Sequence, residues 1–233
     1  MKVVITAAAK SPRLLPLTKD TPVSLLEVGG KPIIAHQIEA IQKAGIKDIL
    51  VITGFCADQV ERFCAGKVSC IFNPFYETCN VAMNLWLVRD ELKSGFLLQY
   101  SDTLFQSELI KEVNDGREGI LLVIDKKGID KEAEKVSVEN GLVTAIGKDI
   151  DNPYGEFVGM SKFSPGTIPP LMKELDQIAR TNMDTRFPQL IERLIGKGSQ
   201  PIIKITDRQW MDVDFPEDLK EARLTWPLVS ETS

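Results

Sequence analysis

From Val3 to Tyr100 short β-like runs alternate with helix-like segments, and this alternation restricts the folds open to the chain more than any other feature. Residues 3–7 form an apolar run. The irregular stretch 8–31 contains Pro12, Pro16 and Pro22 and cannot be one helix. Pro32 then opens a helix whose Ile34, Ile38 and Ile41 recur at three-to-four spacing, and Gly45 closes it. Strands expected at 48–53, 68–72 and 96–100 alternate with helices expected at 58–65 and about 81–92. Strands separated by helices need crossover connections, and these build a mostly parallel sheet covered on both faces.

From about residue 118 the pattern changes. A strand at 119–125 is followed by runs at 136–138 and 142–146 that flank Asn140-Gly141, the strongest short hairpin signal. A strand at 157–163, helices at 168–178 and 186–195, a strand at 202–205 and a helix from Pro216 complete the chain. The expectation is an α/β fold: a Rossmann-like, mostly parallel sheet with helices on both faces and a small antiparallel region on the substrate side. No linker divides it, so residues 1–233 read as a single domain.

Composition removes several classes of function. The net charge of −5 argues against a nucleic-acid or membrane-surface partner, since both usually require a basic patch. No apolar run approaches the roughly 20 residues of a membrane span, and the start Met1-Lys2-Val3-Val4-Ile5-Thr6 lacks a long apolar signal region. The expected location is cytoplasmic. Cys56, Cys64, Cys70 and Cys79 lack the paired short spacing of a zinc site and read as reduced, mostly buried thiols. The single histidine, His36, falls inside a helix and reads as structural.

The candidate chemistry is carboxylate chemistry. Asp102 follows the strand ending at Tyr100, and open α/β sheets bind ligands just beyond the carboxyl ends of their strands. In Trp210-Met211-Asp212-Val213-Asp214-Phe215-Pro216, Asp212 and Asp214 share one face of an extended segment. Trp86 and Leu85 read as core.

The opening loop connects these sites. Ala7-Ala8-Ala9-Lys10-Ser11-Pro12-Arg13-Leu14, then Pro16-Leu17-Thr18, Pro22 and Gly29-Gly30-Lys31-Pro32, resembles the signature of nucleotidyltransferases that activate sugar phosphates and phospho-alcohols. Asn73 to Asn80 resembles a binding segment of the choline-phosphate cytidylyltransferase-like branch. Ser101-Asp102-Thr103, Ile146-Gly147-Lys148 and Val213-Asp214-Phe215-Pro216 resemble three later motifs in the family's order. This resemblance implies attack by an acceptor phosphate on the α-phosphorus of a nucleoside triphosphate, CTP being favoured, with release of pyrophosphate. It implies Mg²⁺ on Asp102 and Asp214, and Arg13 and Lys148 as the catalytic cations. It further implies a nucleotide site of Ala7, Ala8, Ala9, Ser11, Arg13, Asn80 and Ser101. The acceptor, a small phospho-alcohol, phosphonate or sugar phosphate, would meet Lys148, Asn84, Tyr76 and Gly159. A homodimer is compatible with the family.

The chain departs from that signature where the triphosphate would lie. Ala9 and Ser11 replace glycines, Pro12 replaces a Ser or Thr and removes an N–H, and Val23 replaces a lysine. Lys10 and Lys19 are the nearby cations, and both read as exposed. The altered loop also suits a second expectation, a nucleotide-binding relative that acts as a sensor or structural partner. A dinucleotide-dependent oxidoreductase is disfavoured, because the first turn has no Gly-x-Gly-x-x-Gly.

Overall fold

A computed structural model describes residues 1–129 and 131–226. The expected domain of 1–233 therefore includes Asp130 and residues 227–233, which lie outside the described residues. In chain order the first half contains β1 (Lys2–Ala7), β2 (Glu27–Val28), β3 (Lys31–Pro32), α1 (Ile33–Lys43), β4 (Ile49–Thr53), α2 (Ala57–Cys64), β5 (Ser69–Phe72), α3 (Val81–Leu87), β6 (Phe96–Tyr100) and β7 (Thr103–Phe105). There follow α4 (Ser107–Asn114), β8 (Ile120–Asp125), β9 (Lys135–Glu139), β10 (Leu142–Gly147), β11 (Gly155–Phe163), α5 (Ile168–Thr181), α6 (Phe187–Gly196), β12 (Ile202–Ile205), β13 (Trp210–Asp212) and α7 (Pro216–Thr225). Nine strands form one sheet in the order β5-β4-β1-β6-β11-β8-β12-β10-β9.

The parallel half follows from the apolar runs. β1 pairs in parallel with β4, Ile5 against Val51, and with β6, Ile5 against Gln99. Its residues alternate between faces: Val4 joins the cluster beneath α3, α5 and α6, whereas Val3 and Ile5 join the cluster beneath α1 and α4. A strand buried on both faces has no polar side, which is why the run reads as continuously hydrophobic. Helix α1 presents Ile34, Ile38 and Ile41 to the second cluster, and α3 presents Ala82 and Leu85 to the first. Fully burying one such isoleucine or leucine contributes about 1.5–3 kcal/mol.

The antiparallel element lies deeper than a peripheral extension would. β11 runs antiparallel between β6 and β8, with all of its residues buried. The β9–β10 hairpin forms at the sheet edge with Asn140 and Gly141 both at positive φ, as its turn requires. Helix α3 ends at Leu87, and Arg89–Leu92 continues as a separate tight turn. Cys64 is buried, but Cys56, Cys70 and Cys79 are only half-buried, and all four are free thiols. His36 Nε2 bonds the Val28 carbonyl at 2.9 Å, a structural contact. Among the described residues no helix is long and apolar enough to cross a membrane.

Candidate active site

A two-stranded ribbon outside the main sheet assembles the site. After β6 the chain turns at Ser101-Asp102 and returns as β7, which pairs antiparallel with β13: Trp210 against Phe105, Asp212 against Thr103. The Val213 amide then donates to the Asp102 carbonyl at 3.0 Å. Asp102 and Asp214, far apart in sequence, thereby reach one cleft. Pro216 starts α7, and Asp218 caps it by accepting from the amides of Asp214 (3.0 Å) and Phe215 (2.7 Å). That cap also fixes the backbone from which the Asp214 carboxylate projects.

Arg13 comes from the opening loop. Leu14, wholly buried in a third apolar cluster with Val28, Ile33, Leu104 and Val213, anchors a tight turn at Pro12–Leu14. The anchored turn directs Arg13 Nη2 to Asp214 Oδ1 at 2.7 Å and places its guanidinium 5.0 Å from the Phe215 ring centroid. Lys148 enters from the end of the hairpin and pairs with Glu132 at 2.9 Å.

All four side chains, Asp102, Asp214, Arg13 and Lys148, line one cavity of about 290 Å³ beyond the strand ends. Tyr100, Phe157 and Trp210 contribute aromatic wall, and Glu134, Glu156 and Asp212 add carboxylates. Gly159, in the bulge where β11 shifts register against β8, lines it too. Its φ is +74°, and a Cβ there would lie 3.0 Å from Thr103 Oγ1 and 3.2 Å from Tyr100 Cβ, so the strand can approach the Asp102 turn only as glycine.

Charge is crowded here. Burial, then repulsion from Asp214, pushes the Asp102 carboxyl up to about 6. Burial also raises Asp214, with Arg13 opposing, and raises Asp212 well above the usual range, with the Asp102 charge adding to it. Glu134 is pushed up to about 7 by burial. The Asp212 Oδ1 is buried without a hydrogen-bond partner. A cation relieves such a set, and an all-oxygen donor set suits a hard divalent ion. Among the described residues no three metal-ligating side chains are preassembled. The residues fit Mg²⁺, which typically takes one or two carboxylates and completes its shell with phosphate oxygens and water.

A second cavity of about 70 Å³ lies at the end of β1, lined by Ala8, Ala9, Tyr76, Cys79, Asn80 and Asn84 among others. The residues expected to hold the acceptor are thus divided: Lys148 and Gly159 line the large cavity, and Tyr76 and Asn84 line the small one beside the opening loop. The two amides there are already engaged. Asn80 caps α3 through Val81 and donates to Asp184 at 3.2 Å, while Asn84 accepts from Asn73 at 2.6 Å. Ala7 is buried against β4, Ser101 is buried in its turn, and Ser11 turns its carbonyl to Thr18 Oγ1 at 2.7 Å; none of the three lines either cavity.

The altered loop takes up left-handed φ only at Gly29 and Gly30. Among the described residues, those other than glycine with left-handed φ are Cys56, Asn140 and Asn152, so Ala9 and Ser11 carry no such cost. Val23 is buried with Leu14 and Val28. Lys10 pairs with exposed Glu77 at 2.7 Å and lies 5.6 and 5.9 Å from the Phe55 and Tyr76 ring centroids, outside the large cavity. Glu134 had no sequence signal, since a carboxylate in a charged loop reads as solvated.

Paired carboxylates and two cations in a cavity beyond the strand ends of an open α/β sheet suit a site for phosphate groups. Residues 2–124 match the model of the nucleotidyl transferase family, and the chain belongs to that family. It is 25 % identical to the CTP:phosphoglutamine cytidylyltransferase of Campylobacter jejuni, over 94 % of this chain and 98 % of that protein. It is 36 % identical to the choline-phosphate cytidylyltransferase of Streptococcus pneumoniae, over 46 % of this chain and 47 % of that protein. The solved CTP:phosphocholine cytidylyltransferase from Streptococcus pneumoniae matches in fold, with a TM-score of 0.80 over 96 % of this chain and 97 % of that one at 22 % identity.

Proposed function

We propose that this nucleotidyltransferase moves a cytidylyl group from CTP to the phosphate or phosphonate of a small acceptor, with Mg²⁺ held by Asp102 and Asp214. The observation that carries this reading is the meeting of Asp102, Asp214, Arg13 and Lys148 in one cavity. The relatives named for CTP favour cytidine. An acceptor phosphate oxygen forms a bond to the α-phosphorus as the bond to the bridging β-phosphate oxygen breaks, and pyrophosphate leaves with the electron pair. Little covalent work falls to the protein, so positioning and charge neutralisation carry the rate.

The chain's own residues divide that work. Arg13, a rigid fork of donors beside Asp214, is placed to hold phosphate oxygens of the leaving group. Lys148 is placed to hold the acceptor phosphate, exchanging its pairing with Glu132 for the ligand. When bound, Mg²⁺ supplies charge neutralisation on the phosphoryl oxygens. The binding-only alternative draws on the altered loop, which proves to be free of left-handed strain.

The test is pyrophosphate release with each nucleoside triphosphate, Mg²⁺ and a panel of phosphorylated alcohols, phosphonates and sugar phosphates. CTP is expected to give the highest rate with at least one acceptor, and Asp102→Asn to lower it about 100-fold or more. Release no greater than that of Asp102→Asn with every pair would sink the proposal.

A further inference from the structure

Gln37, on α1, is completely buried beneath the turn that carries Asp102. Its Nε2 donates to the Tyr100 carbonyl at 2.7 Å and to the Thr103 carbonyl at 2.6 Å, one on either side of Asp102. Both partners are acceptors, so only the amide NH₂ end can face them. The Oε1 is consequently buried with no hydrogen-bond partner. That is an expensive arrangement, since a buried polar atom without a partner costs about 1–3 kcal/mol. It also breaks the pattern of its helix, whose other inward positions, Ile34, Ile38 and Ile41, are apolar.

A hydrocarbon at position 37 would remove the orphan oxygen, but it could not join the two ends of the turn. The Tyr100 carbonyl would keep a second donor, Gln99 Nε2 at 2.9 Å. The Thr103 carbonyl would lose the donor that links it to α1. With the Val213 amide on the Asp102 carbonyl, the carbonyls of Tyr100, Asp102 and Thr103 are tied from two sides: α1 below and the residue after β13 beside. The turn needs such restraint because like-charged Asp102 and Asp214 face the same cavity.

We infer that Gln37 is a positioning residue: its clasp across Tyr100 and Thr103 holds the Asp102 carboxylate in register with Asp214 for the transfer. Gln37 does not line the cavity and touches no reacting group. The inference rests on the reading of Asp102 and Asp214 as cation ligands.

Gln37→Met, which keeps the length of the side chain without its donors, and Gln37→Glu, which keeps its shape, are compared in the full chain with wild type and Asp102→Asn. Both Gln37 variants are expected to lose about 10- to 100-fold in kcat, the usual effect of removing a partner that orients a ligand. The KM for the acceptor is expected to stay within about 3-fold, since Lys148, which is assigned to the acceptor phosphate, is untouched by the change. In protein without ligand, amide hydrogen exchange over residues 101–105 should accelerate while that of β1 and β4 stays unchanged, a local effect that general destabilisation would not give. Folded variants with kcat within about 2-fold of wild type overturn the inference, as does unchanged exchange at 101–105. Should neither variant fold, the wild type decides: amides at 101–105 that exchange as freely as an exposed loop overturn the clasp. Full activity in Asp102→Asn would instead overturn the cation-ligand reading itself, whereas an inactive Asp102→Asn beside fully active Gln37 variants removes only the clasp.

Discussion

Arg13 shows how much one side chain in this cleft depends on shape as well as charge. Its guanidinium makes a 2.7 Å contact with Asp214 and lies over the Phe215 ring, and its side chain is 43 % exposed. An exposed ion pair contributes little to stability, about 0–1 kcal/mol. A planar fork that can span two phosphate oxygens matters far more to a transfer reaction. Lysine would keep the charge and lose both the fork and the stacking. Arg13→Lys is therefore expected to shift the urea midpoint by no more than about 0.5 kcal/mol equivalent. Its kcat should fall by about 10-fold or more, approaching the 100-fold loss of a removed transition-state donor. Paired urea titrations and pyrophosphate-release kinetics check both parts, and a large stability loss with intact turnover would contradict the assignment.

Among the elements, α5 and α6 cover the sheet face opposite α1, and a buried carboxylate joins them. Glu174 on α5 is completely buried and accepts from Arg193 on α6 and from Lys197 directly after it. Burial by itself pushes its carboxyl up, but the bonds from Lys197 and Arg193 outweigh that and leave it below the usual 4.5. The stabilisation is then complete above the unfolded value and is lost as pH falls through the lowered folded one. Glu174→Gln should cost about 1.5–3 kcal/mol at pH 7, the range for hydrogen bonds to charged groups. The gap from wild type should narrow below about pH 4, and urea unfolding at the two pH values measures it. A gap that widened on acidification would mean the carboxylate is not stabilised by this pair. These helices were visible in the sequence because each carries an amphipathic stripe, as were the alternating strands from β1 to β6. The ribbon of β7 and β13 was not. Each of its strands has three residues, too few to show a period, and the pairing exists only once the sheet has formed. Helix α4, eight residues beginning just after β7, was not read from the sequence, although Leu109, Ile110 and Val113 recur at helical spacing. Asp102 and Asp214 were legible as motifs, whereas the role of Gln37 was not: helical spacing puts it on the face of Ile34, Ile38 and Ile41, but nothing local says what its amide bonds.

Considered whole, the molecule builds its cavity between two unlike halves. The parallel half supplies Arg13 and Asp102 from the ends of β1 and β6, and the hairpin side supplies Glu132, Glu134 and Lys148. A ligand bound in the cavity therefore stabilises the folded chain by linking the halves, and its effect on melting reports the charge balance there. At about 100 times its Kd a ligand adds roughly 2.7 kcal/mol, which raises the melting temperature of a domain this size by about 5–10 °C. On the proposed reading, a triphosphate alone would meet Asp102, Asp214, Asp212, Glu134 and Glu156, with Arg13 and Lys148 the only cations among the described residues that line the cavity. Most of the shift given by CTP should accordingly require Mg²⁺, and chelation with EDTA should remove more than half of it. The same CTP concentration with Mg²⁺ should give Asp214→Asn little of this shift, because the variant lacks one of the two proposed ligands. An equal shift with and without Mg²⁺ in wild type would show that the protein's cations alone neutralise the triphosphate, and the paired carboxylates would then need a different role.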